Sequence, residues 1–505
     1  MTLTLPSAAG PLAAVDIGSN SFRLEIGQVA GGRYRRIDYI KETVRLGAGL
    51  DSDGQLTEEA AERGLKCLRS LAQRLRGFEP GQVRAVATQT LREAQNRNAF
   101  LARAQDALGF PVEVISGREE ARLIYAGVAH LQPSEQPRLV VDIGGRSTEV
   151  ILGQGAQPIA AESFGVGCVS LSMRFFADGR LTAAAFEAAQ VAAGAEFEEA
   201  LRTFGRNQWT EALGSSGTAG AVAQVLQASG VGDGSITPAG LRWCIERCID
   251  AGHLARLKLP GLKAERHAVI AGGLAILSAL AAQFNIDRML AAKGALRQGV
   301  ILDLHERLLA LHRERPGDLR DHSIVQLQQR FQVDAEQAAR VRAVALTLFD
   351  QLRGDTENND HPDLRRELGW ACDVHEIGLM VSHHDHHRHS AYLLAHVDAP
   401  GFSQSQQRRL GNLALGQRGG LRKVEVEFAR DGFAHQLVCL RLAAIKCHAR
   451  ESVDTAALRV DARASEVRLG FGSAWAAAHP RTLFLLREES LAWQRLGRLR
   501  LELPA

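Results

Sequence analysis

Two short stretches of this 505-residue chain could do the same chemistry. Ala14-Val15-Asp16-Ile17-Gly18-Ser19-Asn20-Ser21 returns as Val140-Val141-Asp142-Ile143-Gly144-Gly145-Arg146-Ser147, at a constant offset: 142 − 16 = 126 and 147 − 21 = 126. In each copy an apolar run ends in aspartate, a Gly/Ser turn follows, and a second apolar run leads away. Glycine lets the backbone approach a ligand, and successive N–H groups in such a turn cradle an anion. Ser19, Asn20, Ser21, Ser147 and Thr148 add side-chain donors. Asp16 and Asp142, at the strand ends, are placed to hold hydrated Mg2+, which takes one or two carboxylates plus water and phosphate oxygens. The turn chemistry repeats as well as the pattern, which points to two related lobes facing one phosphate chain.

A third loop, Gly214-Ser215-Ser216-Gly217-Thr218, separates a short apolar run from a helix-prone one. Such a strand–loop–helix aims helix N–H groups at phosphate, and a plain connector would read alike. Gly165-Val166-Gly167-Cys168 is a fainter version. In Ser116-Gly117-Arg118-Glu119-Glu120-Ala121-Arg122 two carboxylates open a helix. They are either partners of the helix dipole or the base that hydrolysis needs to deprotonate water.

The elements that must carry these residues alternate through the first two thirds. Ala14–Val29 and Leu139–Leu152 read as hairpins, with helices at 58–76, 98–108, 119–130 and 182–203 and strands at 83–88 and 111–115. That alternation predicts α/β lobes. The charged segment 307–322, with Pro316 and Gly317, reads as a linker. From Ile324 to Leu415 long amphipathic runs predict an all-α domain, and the tail, with strands at 457–460 and 466–471 and a helix at 474–487, reads as a small α+β cap.

The composition, 46% hydrophobic and 23% charged, is that of a soluble globular protein. A net charge of +3 advertises no nucleic-acid polymer as partner, although local basic clusters can still bind a polyanion. Seven cysteines at irregular spacing form no disulfide framework, and a reducing, cytoplasmic setting is expected. Cys244 and Cys248, with no second pair, are expected to pack rather than bind zinc. No signal peptide is visible, and the apolar stretch Ala268–Ala282 is shorter than the ~20 residues of a membrane span, so a buried helix is expected.

Taken together, the two Asp-Ile-Gly turns, the Ser116–Arg122 segment, Asp142 through Glu149 and the Gly214–Thr218 loop resemble the exopolyphosphatase / guanosine pentaphosphate phosphohydrolase family. Glu265-Arg266, Gly273-Leu274-Ala275-Ile276-Leu277, Gly294-Ala295-Leu296-Arg297, His375-Glu376-Ile377-Gly378 and His389-Ser390-Ala391-Tyr392 extend the resemblance over most of the chain. It implies an α/β fold of two ribonuclease-H-like lobes, similar to actin, the 70-kDa heat-shock proteins and sugar kinases. An HD-like all-α domain and the cap would follow, giving domains at 11–125, 126–306, 318–450 and 451–505. By matching positions it implies Glu120 as the base for the attacking water. It implies Asp142 and Glu149 on the metal side, Glu149 through water. Arg92 would lie near the terminal phosphate, where a guanidinium can bind two oxygens at once. Ser19, Asn20 and Ser21, then Gly144, Gly145, Ser147 and Thr148, and finally Gly214, Ser215, Ser216, Gly217 and Thr218, match phosphate-binding segments.

One residue departs from the pattern. Arg146 stands where the family usually has a small residue. It would bind phosphate directly, crowd the turn or point outward, and retained activity with altered substrate contacts is the expectation. In the HD-like domain the metal-binding His-Asp pair reads His375-Glu376, and no Asp stands near Leu442–Lys446, so a second catalytic metal is not expected. The cluster His383, His384, His386, His387 and His389 reads either as a metal site or as channel lining. With Arg388, Arg408, Arg409, Arg422 and Lys423 it would line a polyphosphate channel.

The resulting expectation is a homodimeric, Mg2+-dependent phosphoanhydride hydrolase, with a monovalent cation such as K+ as a further cofactor. It would act processively on the end of inorganic polyphosphate. Hydrolysis of guanosine pentaphosphate to tetraphosphate is the nearest alternative, and a polyphosphate or alarmone sensor without turnover is the next. A sugar kinase would need a substrate-side carboxylate base in place of the Glu120 motif, and a chaperone would need a β-rich third domain.

Overall fold

The computed structural model describes residues 10–313, 318–353, 362–463 and 466–504. They divide into two compact units on either side of residue 317. Pro316 and Gly317 of the expected linker lie outside the described residues, and the flanks of that linker are helical rather than irregular.

The first unit is built on two five-stranded sheets of matching order. In the first, β1 (Leu12–Ile17), β2 (Ser21–Ala30), β3 (Arg33–Thr43), β4 (Val83–Ala87) and β5 (Val112–Val114) run in the order β3-β2-β1-β4-β5. β1 is buried at every residue, as a near-continuous apolar strand in mid-sheet must be. β3 is the charged, largely exposed edge, which discourages pairing with another chain. Around this sheet lie α1 (Glu58–Arg74), α2 (Gln89–Glu93), α3 (Arg97–Leu108) and α4 (Gly117–Leu131).

The second sheet repeats the plan with β6 (Arg138–Ile143), β7 (Thr148–Gln154), β8 (Gln157–Phe164), β9 (Glu211–Ser215) and β10 (Leu290–Ala291), in the order β10-β9-β6-β7-β8. Its helices are α5 (Cys168–Phe175), α6 (Ala183–Phe197), α7 (Ser216–Ala228), α8 (Pro238–Ala251) and α9 (Ile270–Gln283). By length and composition the helical stretch Ala264–Gln283 could cross a membrane, but 72% of it is buried inside the protein. It packs in the second core with Phe197, Cys244 and Cys248.

α10 (Leu296–Arg313) returns to the first sheet and crosses α4 at very short range. A Cβ on Gly127 would stand 2.4 Å from the Ala295 carbonyl oxygen, and one on Gly299 only 1.7 Å from that of Leu123. Two consequences bear on the expected domain limits. The 125/126 limit falls inside α4, and α10 runs on past residue 306.

The second unit contains α11 (Leu319–Arg330), α12 (Ala335–Arg353), α13 (Pro362–Val374), α14 (His386–His396), α15 (Gln404–Gly416) and α16 (Phe433–Lys446). After them come β11 (Arg459–Arg463), β12 (Glu466–Gly470), α17 (Ser473–Ala478), α18 (Pro480–Leu496) and β13 (Arg500–Glu502). The tail shares one core with the helices: Val460, Leu469, Leu486 and Trp493 pack with Leu348, Trp370 and Leu437. A buried fork joins α16 to α18, Arg441 donating to both Glu489 oxygens at 2.5 and 2.6 Å.

Candidate active site

The two duplicated turns meet across a cleft enclosing about 630 Å³, part of it open to solvent. Hairpin register brings a residue of the second strand opposite each aspartate, Arg23 opposite Asp16 in β1/β2 and Glu149 opposite Asp142 in β6/β7. These pairs are again 126 residues apart. Arg23 donates to Asp16 at 3.2 Å, and Arg297, from the start of α10, lies 3.6 Å from the same oxygen. No ion pair within 4 Å engages Asp142 among the described residues, and burial raises its carboxyl above the usual range, with nearby Arg23 opposing the rise.

The third loop is a strand–turn–helix. Ser216 takes a left-handed φ of 61° where β9 passes into α7, a conformation that is strained for a residue with a side chain. Ser216 and Thr218 both donate to the Ile143 carbonyl, at 3.3 and 3.1 Å, locking this loop to the second turn. Gly217 leaves room for a guanidinium, since a Cβ there would lie 1.4 Å from Arg266 Nη2 and displace it. That guanidinium lines the cleft, and burial lowers its pKa.

α4 opens with Ser116 accepting from the Glu119 N–H at 3.1 Å. The two adjacent carboxylates then part company. Glu119 forms a fork with Arg122 at 2.8 Å and joins a buried network with Arg84 and Asp303. Glu120 faces the cleft and accepts from Arg92 Nη1 at 2.8 Å. Burial pushes the Glu120 carboxyl up to about 7, with Asp142 and Asp16 adding to the rise and Arg92 opposing it. Burial, then Glu120 and Asp142, also hold Glu149 well above the carboxylate range, although Ser163 donates to it at 2.7 Å. Desolvation therefore outweighs the arginine, leaving a carboxylate able to exchange a proton near neutral pH.

Residues 26–308 match the model of the Ppx/GppA phosphatase family, and residues 319–490 that of Ppx/GppA phosphatase domain III. The chain belongs to the Ppx/GppA phosphatase family. It resembles the crystal structure of an exopolyphosphatase-like protein at 27% identity and a TM-score of 0.54, covering 59% of this chain and 99% of that one. An exopolyphosphatase from Cytophaga hutchinsonii ATCC 33406 shares the fold at 24% identity and a TM-score of 0.52, covering 58% of this chain and 97% of that one.

In this Ppx/GppA phosphatase, the residues expected from sequence fall into three groups. Asp16, Ser19, Asn20, Ser21, Glu120, Asp142, Gly144, Gly145, Ser147, Ser216 and Gly217 line the cleft. Ser21 Oγ is buried without a hydrogen-bond partner among the described residues, as a donor awaiting an anion would be. Arg92, Thr148, Glu149, Gly214, Ser215 and Thr218 stand behind the lining. Thr148 donates to the Val166 carbonyl at 2.6 Å and Ser215 to that of Gly294 at 3.1 Å, so both hold loops in place. Arg146 turns away from the cradle and pairs with Glu93 at 2.7 Å, which corrects its expected phosphate-binding role.

Arg23, Arg266 and Arg297 also line the cleft and had no assigned role. Each lies in or beside a segment that carries the resemblance, but only the folded contacts reveal where it points.

Among the described residues, no three His, Cys, Asp or Glu side chains converge closely enough to enclose a metal ion. Asp16, Asp142 and Glu149 are therefore not a ready-made cage. They still suit Mg2+, which keeps several waters and shares phosphate oxygens. Asp142 and Glu149 have raised pKa values that a nearby cation would relieve. Asp16 is already matched by Arg23, so its fit is the weaker.

In the His-rich segment too, no three such side chains of the described residues converge on one point. Glu376, beside His375, is engaged by Arg450 at 2.8 and 2.9 Å. Of the expected channel residues, His387 is buried and its pKa is lowered to about 4, chiefly by burial. Arg409 is tied to Glu367 at 2.9 Å and to Gln436 at 2.7 Å. Both serve packing. Arg408 bonds Gln404 at 3.1 Å, and Lys423 donates to the Arg418 carbonyl, its pKa lowered to about 8 mainly by burial. His383, Arg388 and Arg422 are exposed, and His389 is half-buried.

Proposed function

We propose that the protein is an exopolyphosphatase that removes the terminal phosphate of inorganic polyphosphate. The observation that carries this reading is Glu120, a cleft carboxylate whose pKa is pushed up to about 7 by burial, facing two glycine-rich turns and three arginines. The apolar part of the lining is aliphatic, Ile124, Ile143, Ala295 and Leu296, and the polar part is of the kinds that grip phosphate oxygens.

Turn amides, with Ser19, Asn20, Ser21 and Ser147, hold the phosphate chain, and Arg23, Arg266 and Arg297 balance its charge. Glu120 takes a proton from water as that water attacks the terminal phosphorus in line; the new P–O bond forms as the bridging P–O bond breaks, and the shortened chain leaves with the bridging oxygen as a phosphate oxyanion. Arg92 orients Glu120 and keeps enough of it ionised to act. Asp142, Asp16 and Glu149 would hold Mg2+, which would supply charge neutralisation at the terminal phosphoryl group. Positioning and electrostatics supply most of the rate in such transfers. The helical unit reads as an HD-like domain without catalytic metal.

Guanosine pentaphosphate remains the second reading, because it presents the same terminal phosphate chain to the same groups. The pairing of Arg146 with Glu93 weighs against the sensor reading, which rested on Arg146 filling the cradle. The test supplies Mg2+ with long-chain polyphosphate or guanosine pentaphosphate in parallel and measures released phosphate. Release from polyphosphate alone or preferentially supports the first reading, and release from neither overturns both.

A further inference from the structure

The residue that departs from the family resemblance has well-defined partners. Arg146 lies in the second phosphate turn, between β6 and β7, yet its side chain crosses to the first lobe. Its Nε donates to Glu93 Oε2 at 2.8 Å, and its Nη1 donates to the Gly47 carbonyl at 3.2 Å. Glu93 is the last residue of α2, the short helix that also carries Arg92.

From Glu93 a continuous series of side-chain hydrogen bonds runs to the proposed base. Gln89 Nε2 donates to the other Glu93 oxygen at 2.6 Å. Arg92 Nε donates to Gln89 Oε1 at 2.8 Å, and Arg92 Nη1 donates to Glu120 at 2.8 Å. Two residues before Arg92, Thr90 donates to Ser19 of the first phosphate turn at 2.7 Å. α2 thus touches the first turn, the second turn and Glu120 at once.

We propose that Arg146 is a positioning residue, which ties the second phosphate turn to α2 and so sets the spacing of the two turns and the orientation of Glu120 together. This rests on the phosphohydrolase reading above. A guanidinium suits the task because its planar fork meets the Glu93 carboxylate and the Gly47 carbonyl in one geometry, which a lysine cannot do. Lys41–Glu265 and Arg118–Glu162 also pair across the lobes, so loss of the Arg146 tie is expected to loosen their spacing rather than release it.

The test compares Arg146→Gly, Glu93→Gln and the double variant, on whichever phosphate substrate the wild type turns over. Each single variant is expected to lower kcat/KM by about tenfold with the loss in kcat, and the double variant to be no worse than either. Arg146→Glu combined with Glu93→Arg is expected to recover much of the loss. If Arg146 instead gripped phosphate, Arg146→Gly would raise KM alone and Glu93→Gln would cost nothing, which would overturn the proposal.

A second readout needs no turnover. All seven native cysteines are buried, so spin labels on Gln73→Cys in α1 and Val191→Cys in α6 report one lobe against the other. Arg146→Gly is expected to lengthen and broaden that distance distribution. An unchanged distribution would sink the tie, even if neither phosphate compound proves to be a substrate.

Discussion

The two duplicated hairpins share register, burial and a turn, and differ in the residue that faces each aspartate. Opposite Asp16 stands Arg23, and opposite Asp142 stands Glu149. The first hairpin neutralises itself within its own two strands. The second gathers like charges that burial makes costly, and its carboxyls respond by holding protons more tightly. In the proposed function the duplicated frame supplies two phosphate-binding turns, and the exchange of Arg23 for Glu149 favours a cation on the second side. On the proposed reading the first lobe binds and the second carries the metal-side chemistry, with Glu120 on the helix that follows the first sheet.

The sharpest break in that comparison is at the base itself. Glu120→Gln should lower kcat by about a thousandfold or more while phosphate-chain binding, followed by calorimetry, persists. Retained turnover would move the base elsewhere.

Neutralising the two aspartates tests the asymmetry directly. Asp142→Asn should cost about a hundredfold in kcat/KM and Asp16→Asn several-fold less, measured across a Mg2+ titration. Equal losses would mean that the hairpins share the metal.

Copying the first hairpin onto the second is a gentler probe. Glu149→Arg should raise the Mg2+ concentration for half-maximal rate by about tenfold. A Mg2+ dependence like that of the wild type would remove Glu149 from the metal side.

The smallest expected effect is on the pH profile. The base works only when ionised, and a raised pKa keeps Glu120 protonated at lower pH. Activity should therefore rise with pH through about 7. Arg92→Gln removes the group that holds that pKa down, so the acid limb should move to higher pH, as read from kcat/KM profiles. A limb that stays put would show that Arg92 does not act through Glu120.

Much of this was legible because hairpins are local. An apolar run, a Gly/Ser turn and a second apolar run identify β1/β2 and β6/β7, and their constant offset announces the matching sheets. β3 and β8 escaped notice because edge strands carry polar and charged residues where a core strand carries valine or isoleucine. The separation of Glu119 from Glu120 was hidden because it depends on Asp303 and Arg84, far away in sequence. Arg266 could not be placed without knowing that Gly217 leaves it room. The direction of Arg146 depends on Glu93, 53 residues earlier in the chain. The buried state of His387 and Arg409 was likewise invisible, since a run of basic residues reads the same whether it faces water or a neighbouring helix.

The glycine crossing of α4 and α10 has a consequence for inheritance. Gly127 lies two helical turns beyond Glu120 and Gly299 two residues beyond Arg297, and neither lines the cleft. A single methyl at either would meet a backbone carbonyl well inside contact distance, and the two helices would have to part. In a library of all single substitutions selected for activity, these two remote positions should tolerate as little change as the residues that hold phosphate. A drifting lineage could replace much of the surface of this protein and still be unable to alter the point where these two backbones touch.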